Sequence, residues 1–173
     1  MFWAMRGGGA GSWGVIVSAT FQTFPTFNVT FSGVRIFTNT SKEMGDIAAL
    51  HAKHIFDWDP FRIGQYFYVL TNVSSNATTA TNMMLVASYF PNTTVDQATA
   101  ALTPFLDGAR AQGAFVQEEN LSLSVNDILF TADDDSGHNL VLGSRLMPTS
   151  TYRDRPEEIG QMYTKLLDGG ATK

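Results

Sequence analysis

The sequence predicts an α+β domain in which a largely antiparallel sheet carries helices on one face. Three observations support this prediction. Several short segments alternate apolar and polar residues, as half-buried strands do. Two other segments place apolar residues at three- and four-residue steps behind a threonine cap, which is typical of amphipathic helices. Between residues 27 and 115 the order is strand, helix, strand, strand, helix, strand. This is the split βαβ, or ferredoxin-like, order.

The first strand of this order begins at Phe27, and its apolar residues alternate with polar ones through Phe31. Before Gly33 the apolar residues are at odd-numbered positions, whereas after it they are at even-numbered positions, Val34 and Ile36. A glycine at such a change is typical of a β-bulge. We therefore expect the strand to bulge at Gly33.

Two helices have the same start signal. Thr40 and Glu43, and later Thr94 and Gln97, have capping-box spacing, in which each side chain satisfies a backbone N–H group near the other residue. The apolar stripes that follow are Met44, Ile47, His51 and Ile55 in the first helix, and Ala98, Leu102, Phe105, Leu106 and Ala109 in the second. We expect Pro104 to kink or split the second helix.

The remaining elements are three strands and a third helix. Two strands are predicted between the helices, over about residues 62–71 and 82–90, and another begins at Phe115. Tyr66 and Tyr68 have no basic neighbours for base stacking, so we expect their rings to pack in the core. The third helix begins near Pro156, a residue that suits a first turn. Its stripe is Ile159, Met162, Tyr163, Leu166 and Leu167, and it ends near Gly169.

The first 25 residues have a different character. A glycine-rich stretch from Gly7 to Gly14 precedes the β-branched run from Val15 to Phe21. The pattern predicts a tight loop followed by a buried strand. Three of the glycines have the spacing of the dinucleotide motif G-x-G-x-x-G, but that motif needs a strand before it and a helix after it. The spacing alone therefore indicates only a turn.

Composition narrows the possible functions. The chain has 173 residues, 44% of them hydrophobic and 16% charged, which suits one domain, or one domain and a piece of another. The net charge is −5 and no two of the 11 basic residues are adjacent, so we expect no nucleic-acid partner. Cysteine is absent, which excludes disulfides from this chain. No apolar run reaches the roughly 18 residues of a membrane span, so no membrane association is expected.

Asparagine occurs mostly in one pattern. Six of the nine asparagines lie in N-x-S/T sequons and are predicted glycosylation sites: Asn28, Asn39, Asn72, Asn76, Asn92 and Asn120. This density predicts a secreted glycoprotein. The residues before the glycines do not have the pattern of a signal peptide. We therefore expect the sequence to be a fragment of a longer secreted protein, or the product of a gene model that starts too late.

The segment from Phe2 to Val17 reads FWAMRGGGAGSWGVIV. It closely resembles a segment near the end of the FAD-binding domain in flavin-linked oxidases of the vanillyl-alcohol oxidase (VAO) type. The resemblance is greatest to the berberine-bridge-enzyme-like branch, which is abundant in fungi and plants. It implies that residues 1–26 are the C-terminal edge of a PCMH-type FAD-binding domain. Residues 27–173 would then be part of the substrate domain.

The resemblance also implies a chemistry, which is that of an FAD-dependent oxidoreductase. Such an enzyme oxidises an alcohol, a sugar or a secondary metabolite by hydride transfer to FAD, and oxygen commonly reoxidises the flavin. It implies that Gly8, Gly9, Gly11, Gly14 and Val15 line the FAD through backbone groups. The family's flavin-attaching histidine segment does not occur in this sequence, and no catalytic residue can be assigned. We expect the isolated chain to hold no stable flavin and to be inactive.

Other candidate sites are weaker, and no metal site is predicted. His51 and His54 have a helical spacing that two metal ligands can use, but His51 lies in an apolar stripe and no third ligand is evident. The segment 133–137 resembles a calcium loop but lacks the closing glutamate, which favours a solvated turn. Glu118 and Glu119 are adjacent on a strand and must point to opposite faces, so they cannot act as a carboxylate pair.

A second hypothesis assigns no catalysis to the chain. The split βαβ order is complete after residue 26, and such a unit can fold without the glycine segment. The alternative is therefore a non-catalytic, secreted α+β glycoprotein that binds a partner through its sheet.

Overall fold

The computed structural model describes residues 7–8, 13–73, 80–124 and 146–170. They contain a four-stranded antiparallel sheet, formed by β1 (Asn28–Thr38), β2 (Gly64–Leu70), β3 (Asn82–Pro91) and β4 (Phe115–Ser124). The spatial order is β2-β3-β1-β4, so that β1 pairs with both β3 and β4. The predicted α+β class and split βαβ order are confirmed.

Both capping boxes form where the sequence predicts them. Helix α1 (Ser41–His54) begins after Thr40, whose Oγ1 accepts a hydrogen bond from the Glu43 N–H at 3.2 Å. Helix α2 (Val95–Ala111) begins after Thr94 with the same arrangement. A 3₁₀ helix (Ile55–Phe61) follows α1, and α3 (Thr149–Asp154) and α4 (Pro156–Asp168) come last. None of the described helices is long and apolar enough to cross a membrane.

Helix α2 is continuous through Pro104, so of the two expectations for this residue the split is wrong, and the kink stays a prediction. Proline removes one backbone hydrogen bond and crowds the preceding turn. Packing on both sides of Pro104 outweighs this cost, because the whole predicted stripe is buried: Ala98, Leu102, Phe105, Leu106 and Ala109.

The core lies between the sheet and the helices. The sheet contributes mainly Val34, Ile36, Met84, Val86 and Phe90, and the helices contribute Met44, Ile47 and the stripe of α2. Trp58 of the 3₁₀ helix is 1% exposed, and its indole N–H donates to the carbonyl of Ala101 at 3.0 Å. This bond joins the 3₁₀ helix to α2.

Strand β1 has no bulge at Gly33. Its register with β3 and β4 runs without interruption from Val29 to Phe37. The expectation of a bulge is wrong because β1 carries apolar residues on both faces. Phe31 points to one face, and Val34 and Ile36 point to the other, so the pattern changes without an extra residue in the strand. Gly33 instead leaves room for a neighbouring ring, since a Cβ at this position would lie 3.1 Å from Phe31 Cε1.

Helices α1 and α4 cross at two glycines. A Cβ at Gly160 would lie 2.5 Å from the Gly45 carbonyl oxygen, and a Cβ at Gly45 would lie 2.6 Å from the Gly160 oxygen. Side chains at either position would push the helices apart. Of the stripe predicted for α4, Ile159 and Leu167 are buried, whereas Leu166 is 48% exposed and does not belong to the packed face.

Candidate functional site

The glycine segment is the first candidate site. Gly9 and Gly11 lie outside the described residues, while Gly8, Gly14 and Val15 are exposed. Gly7 and Gly14 have φ values of +107° and +146°, and nothing lies within 4 Å of a Cβ built on either of them. An L side chain rarely adopts such backbone angles. The glycines therefore provide an unusual backbone path with free space around it.

Residues 13–27 continue this segment without regular secondary structure. The prediction of a buried strand over Val15 to Phe21 is wrong, because no described strand pairs with this segment. Its large apolar side chains are exposed instead, with Val17 at 93% and Phe24 at 81%. An exposed apolar stretch of this kind is typical of a surface that another part of a protein covers.

The second candidate is the sheet face opposite the helices, which we call the open face. Within the described part of the chain no helix packs on it. It carries Phe31, Arg35, Tyr66, Tyr68, Leu85, Ala87, Tyr89, Phe115, Gln117 and Glu119. Tyr66 is 63% exposed and Tyr68 is 51% exposed, so the expectation that they pack in the core is wrong.

One row of the open face has small residues at its centre. In register across the four strands are Tyr66, Ala87, Gly33 and Glu119. The Phe31 ring leans along β1 toward Gly33 and lies 5.2 Å from the Tyr89 ring, measured between centroids. The Phe31 ring therefore covers Gly33, and the row runs from the exposed Tyr66 ring at one edge to the Glu119 carboxylate at the other.

The next row places a cation near the middle of the face. Tyr68, Leu85, Arg35 and Gln117 are in register, and Arg35 is exposed. Neither Arg35 nor Glu119 forms an ion pair with any of the described residues. Aromatic surface with a few polar groups can hold a small organic molecule and fix its orientation.

His51 belongs to the core rather than to the open face. It is 1% exposed, and its ring lies among those of Trp58, Phe67 and Phe105, with centroid distances of 4.7–5.5 Å. Its Nε2 is hydrogen bonded to Gln65 Oε1 at 2.7 Å. Burial lowers the pKa of His51 to about 4, although the Gln65 bond opposes this shift. The imidazole is therefore neutral at pH 7 and has a structural role.

The other titratable candidates also have structural partners. His54 Nδ1 contacts the Asp57 carboxylate at 2.8 Å, whereas His51 is bonded to Gln65. The two histidines therefore do not share a partner. In the described part of the chain, no cluster of three His, Asp or Glu side chains could hold a metal ion. Residues 133–137 lie outside that part. Glu118 pairs with Arg110 of α2, whereas Glu119 is on the open face, so the predicted opposite orientation is confirmed.

The sequons fall into two groups. Asn28, Asn39, Asn72 and Asn92 are exposed. Asn120 is partly buried on the helix side of β4, and its Nδ2 donates to Thr99 Oγ1 at 3.2 Å. Asn76 lies outside the described residues.

The sequence missed the open face and the exposed segment before it. Alternation along β1 to β4 indicated apolar residues on both faces, but it could not show which face the helices cover. That depends on which strands become neighbours. The only available signal was the pair Tyr66 and Tyr68, whose hydroxyl groups favour a partly exposed position.

Comparison with known proteins gives two kinds of similarity. No protein-family model matches the chain. It is 28% identical over 121 residues to the FAD-linked oxidoreductase OXR2 of the fungus Pyricularia oryzae. This match covers 70% of the chain and 18% of OXR2, so the chain spans about a fifth of that relative's length.

Two solved structures from Myceliophthora thermophila C1 have a similar fold. The VAO-type flavoprotein MtVAO615 matches with a TM-score of 0.66 and 18% identity, over 97% of this chain and 30% of that one. The VAO-type flavoprotein MtVAO713 matches with a TM-score of 0.59 and 14% identity, over 80% and 26%. The names of all three relatives agree with the prediction of FAD as the cofactor of the full-length proteins that this chain resembles. The predicted resemblance is thus confirmed as a similarity: the chain is similar in sequence to part of a fungal FAD-linked oxidoreductase and in fold to part of two VAO-type flavoproteins.

Proposed function

We propose that this chain supplies the edge of the FAD-binding domain and part of the substrate domain of a secreted oxidoreductase. In this proposal residues 1–26 contact the flavin and residues 27–173 contribute to the substrate site. The enzyme would oxidise an alcohol, a sugar or a secondary metabolite, and bound FAD would accept the hydride. The observation that carries the proposal is the open face, where exposed aromatic rings lie in register with Arg35 and Glu119.

Among the described residues, the backbone of the glycine segment supports a flavin site. Free space around Gly7 and Gly14 allows a planar or anionic ligand to approach the backbone N–H groups closely. Gly8, Gly9, Gly11, Gly14 and Val15 are the residues that we propose would hold the FAD, through their backbone. A side chain at any of the glycines would fill part of the space that the ligand needs.

On the open face, each residue type has a separate task. The exposed rings of Tyr66 and Tyr68 would contact the apolar part of a substrate. Arg35 would bind an anionic or hydroxyl oxygen, because a guanidinium without an ion-pair partner keeps its donors free. Neither task moves a proton, and we assign no catalytic base among the described residues.

Flavin retention tests the proposal. A chain with one wall of a site encloses too little of a ligand to bind it tightly. We therefore expect the purified 173-residue chain, mixed with FAD and desalted, to show no flavin absorption. The same chain, extended by the coding sequence on either side in the genome, should retain the flavin. An extended protein without flavin, or flanking sequence without a flavin-attachment segment, would contradict the proposal.

A pair of matched variants of the extended protein sharpens the test. Gly14→Ala places a side chain at φ +146° and should reduce retained flavin to about a tenth or less. Gly64→Ala is the control, because nothing lies within 4 Å of a Cβ at Gly64 and its φ is not in the glycine-favoured range. Equal retention by both variants would show that the glycine segment does not contact the cofactor.

Deletion of residues 1–25 distinguishes the non-catalytic module from the oxidoreductase. The relatives named above favour the oxidoreductase over this alternative. An independent module should keep the same cooperative thermal transition after the deletion, and the flanking sequence should add no redox activity to it. If the extended protein retains flavin, the non-catalytic module is excluded.

A further inference from the structure

The exposed sequons lie at the two ends of the sheet. At one end the Asn92 N–H donates to the Asn28 carbonyl at 2.9 Å, where β3 ends and β1 begins. At the other end Asn39 directly follows β1, and Asn72 lies two residues after β2. The paired strands β1, β2 and β3 therefore hold these four side chains at the ends of the sheet.

The backbone at two of these positions also favours asparagine. Asn72 and Asn92 have φ values of +55° and +50°, in the left-handed region. Asparagine tolerates this region better than most residues, and it occurs at turns where the side chain faces solvent. Both residues follow the last residue of a strand closely, so a sugar on either of them would extend away from the sheet.

Asn120 has the opposite environment. It lies in the interior of β4, in register with Ser32 of β1 on the helix side of the sheet. Its Nδ2 donates to Thr99 Oγ1 of α2 at 3.2 Å, and its Oδ1 is buried with no hydrogen-bond partner among the described residues. The same is true of Ser32 Oγ within the described part of the chain. The partly buried amide therefore lies at the contact between β4 and α2, with its oxygen buried and its nitrogen bonded to α2.

The chemistry of N-glycosylation makes this difference decisive. The asparagine Nδ2 attacks the anomeric carbon of a lipid-pyrophosphate-linked oligosaccharide, and a C–N bond forms as the C–O bond to the pyrophosphate breaks. The lipid pyrophosphate leaves, and the amide loses one proton to the transferring enzyme. A glycan on Asn120 would be attached to the atom that bonds Thr99, so it would have to lie at the contact between β4 and α2.

We propose that Asn28, Asn39, Asn72 and Asn92 are N-glycosylation sites and that Asn120, despite its sequon, is a structural amide that carries no glycan. The glycans then stand at the ends of the sheet and leave the open face uncovered. This inference rests on passage through a secretory pathway and not on the FAD chemistry, so its failure and that of the proposed function are distinguishable.

The test is expression of the full chain behind a host signal peptide in a eukaryotic secretory host. Peptide-N-glycosidase in heavy-oxygen water converts each glycan-bearing asparagine into a labelled aspartate, which peptide mass spectrometry locates. We expect label at the four exposed positions and unlabelled asparagine at Asn120. Label at Asn120 in the secreted, folded protein, or no label at the exposed positions, would overturn the proposal.

Matched variants provide a second reading of the same proposal. Asn28→Gln, Asn39→Gln, Asn72→Gln and Asn92→Gln should each lower the intact mass by one glycan. Ser122→Ala removes the sequon at Asn120 while keeping the amide, and it should leave the glycan mass unchanged. A loss of one glycan in Ser122→Ala would contradict the structural role of Asn120.

A third measurement does not need secretion. In protein made in bacteria, side-chain amide exchange by NMR should be about 100-fold slower for Asn120 than for Asn28, because opening of β4 and α2 must precede it. Equal exchange rates would show that the Asn120 amide is open to solvent and would overturn the structural assignment.

Discussion

The two faces of the sheet both carry apolar side chains, yet in the described part of the chain the helices cover only one of them. On the helix side, Ile36, Met84 and Phe90 have no measurable exposure. On the open face, Tyr66 and Phe115 keep 63% and 42% of their surface exposed. Equal hydrophobicity therefore does not mean equal contribution to stability. The covered face stabilises the fold, whereas the exposed rings of the open face contribute less to stability.

Truncation of one aromatic residue on each face gives the largest expected difference. Phe105→Ala removes a ring that is 1% exposed and contacts Trp58 and His51, and it should lower the free energy of unfolding by about 3–5 kcal/mol. Tyr66→Ala should change it by about 0.5 kcal/mol or less. Urea denaturation of both variants measures the contrast. Similar losses would mean that the open face also stabilises the fold.

The pH dependence of stability should report on the covered face. Burial lowers the pKa of His51 in the folded protein from 6.5 to about 4. The unfolded chain then binds a proton more readily than the folded one. The stability associated with neutral His51 is complete above pH 6.5 and declines as the pH falls toward 4, by about 3 kcal/mol in total.

A matched variant isolates this effect from the titration of carboxylates. His51→Gln cannot be protonated, so its stability should fall less steeply than that of the parent between pH 6.5 and 4. Denaturant unfolding at a series of pH values measures the slopes. If His51→Gln and the parent had the same slope, His51 would titrate at an ordinary pKa.

The smallest of these effects concerns the edge of the covered face, where α4 packs on α1. Gly160→Ala puts a methyl group against the Gly45 carbonyl and should destabilise by about 1–3 kcal/mol, although alanine favours helices. Gly64→Ala, beside the open face, has free space and should change stability by about 0.5 kcal/mol or less. Thermal denaturation compares them. A neutral Gly160→Ala would mean that the two helices can separate without cost.

Local signals in the sequence predicted most of the fold. Thr40 with Glu43, and Thr94 with Gln97, act within one turn, so their spacing alone located both helix starts. The crossing of Gly45 and Gly160 was not predictable, because the two residues are neighbours only after α4 packs on α1. The expectation of a bulge at Gly33 was wrong for a related reason. The alternation of apolar residues cannot distinguish a bulge from a strand with two apolar faces.

The same distinction between local and long-range signals applies to the candidate site. The resemblance of residues 2–17 to flavin-linked oxidases depends on contiguous letters, and similarity to a fungal FAD-linked oxidoreductase supports it. The row across the open face depends on Tyr66, Ala87, Gly33 and Glu119 coming from four strands. Register between strands decides which side chains meet, and it is set by the whole sheet. A single sequence therefore indicated the cofactor of the related proteins but not the composition of the open face.

The position of β1 has a consequence for how the chain folds. This strand is translated before β2, β3 and β4, yet it is central, and its partners β3 and β4 begin 44 and more residues after its end. Pairing over such separations closes large loops and is slow compared with helix formation. During synthesis β1 leaves the ribosome with both edges unpaired, which exposes it to wrong partners. The nascent chain should therefore need protection at β1 until β4 has emerged.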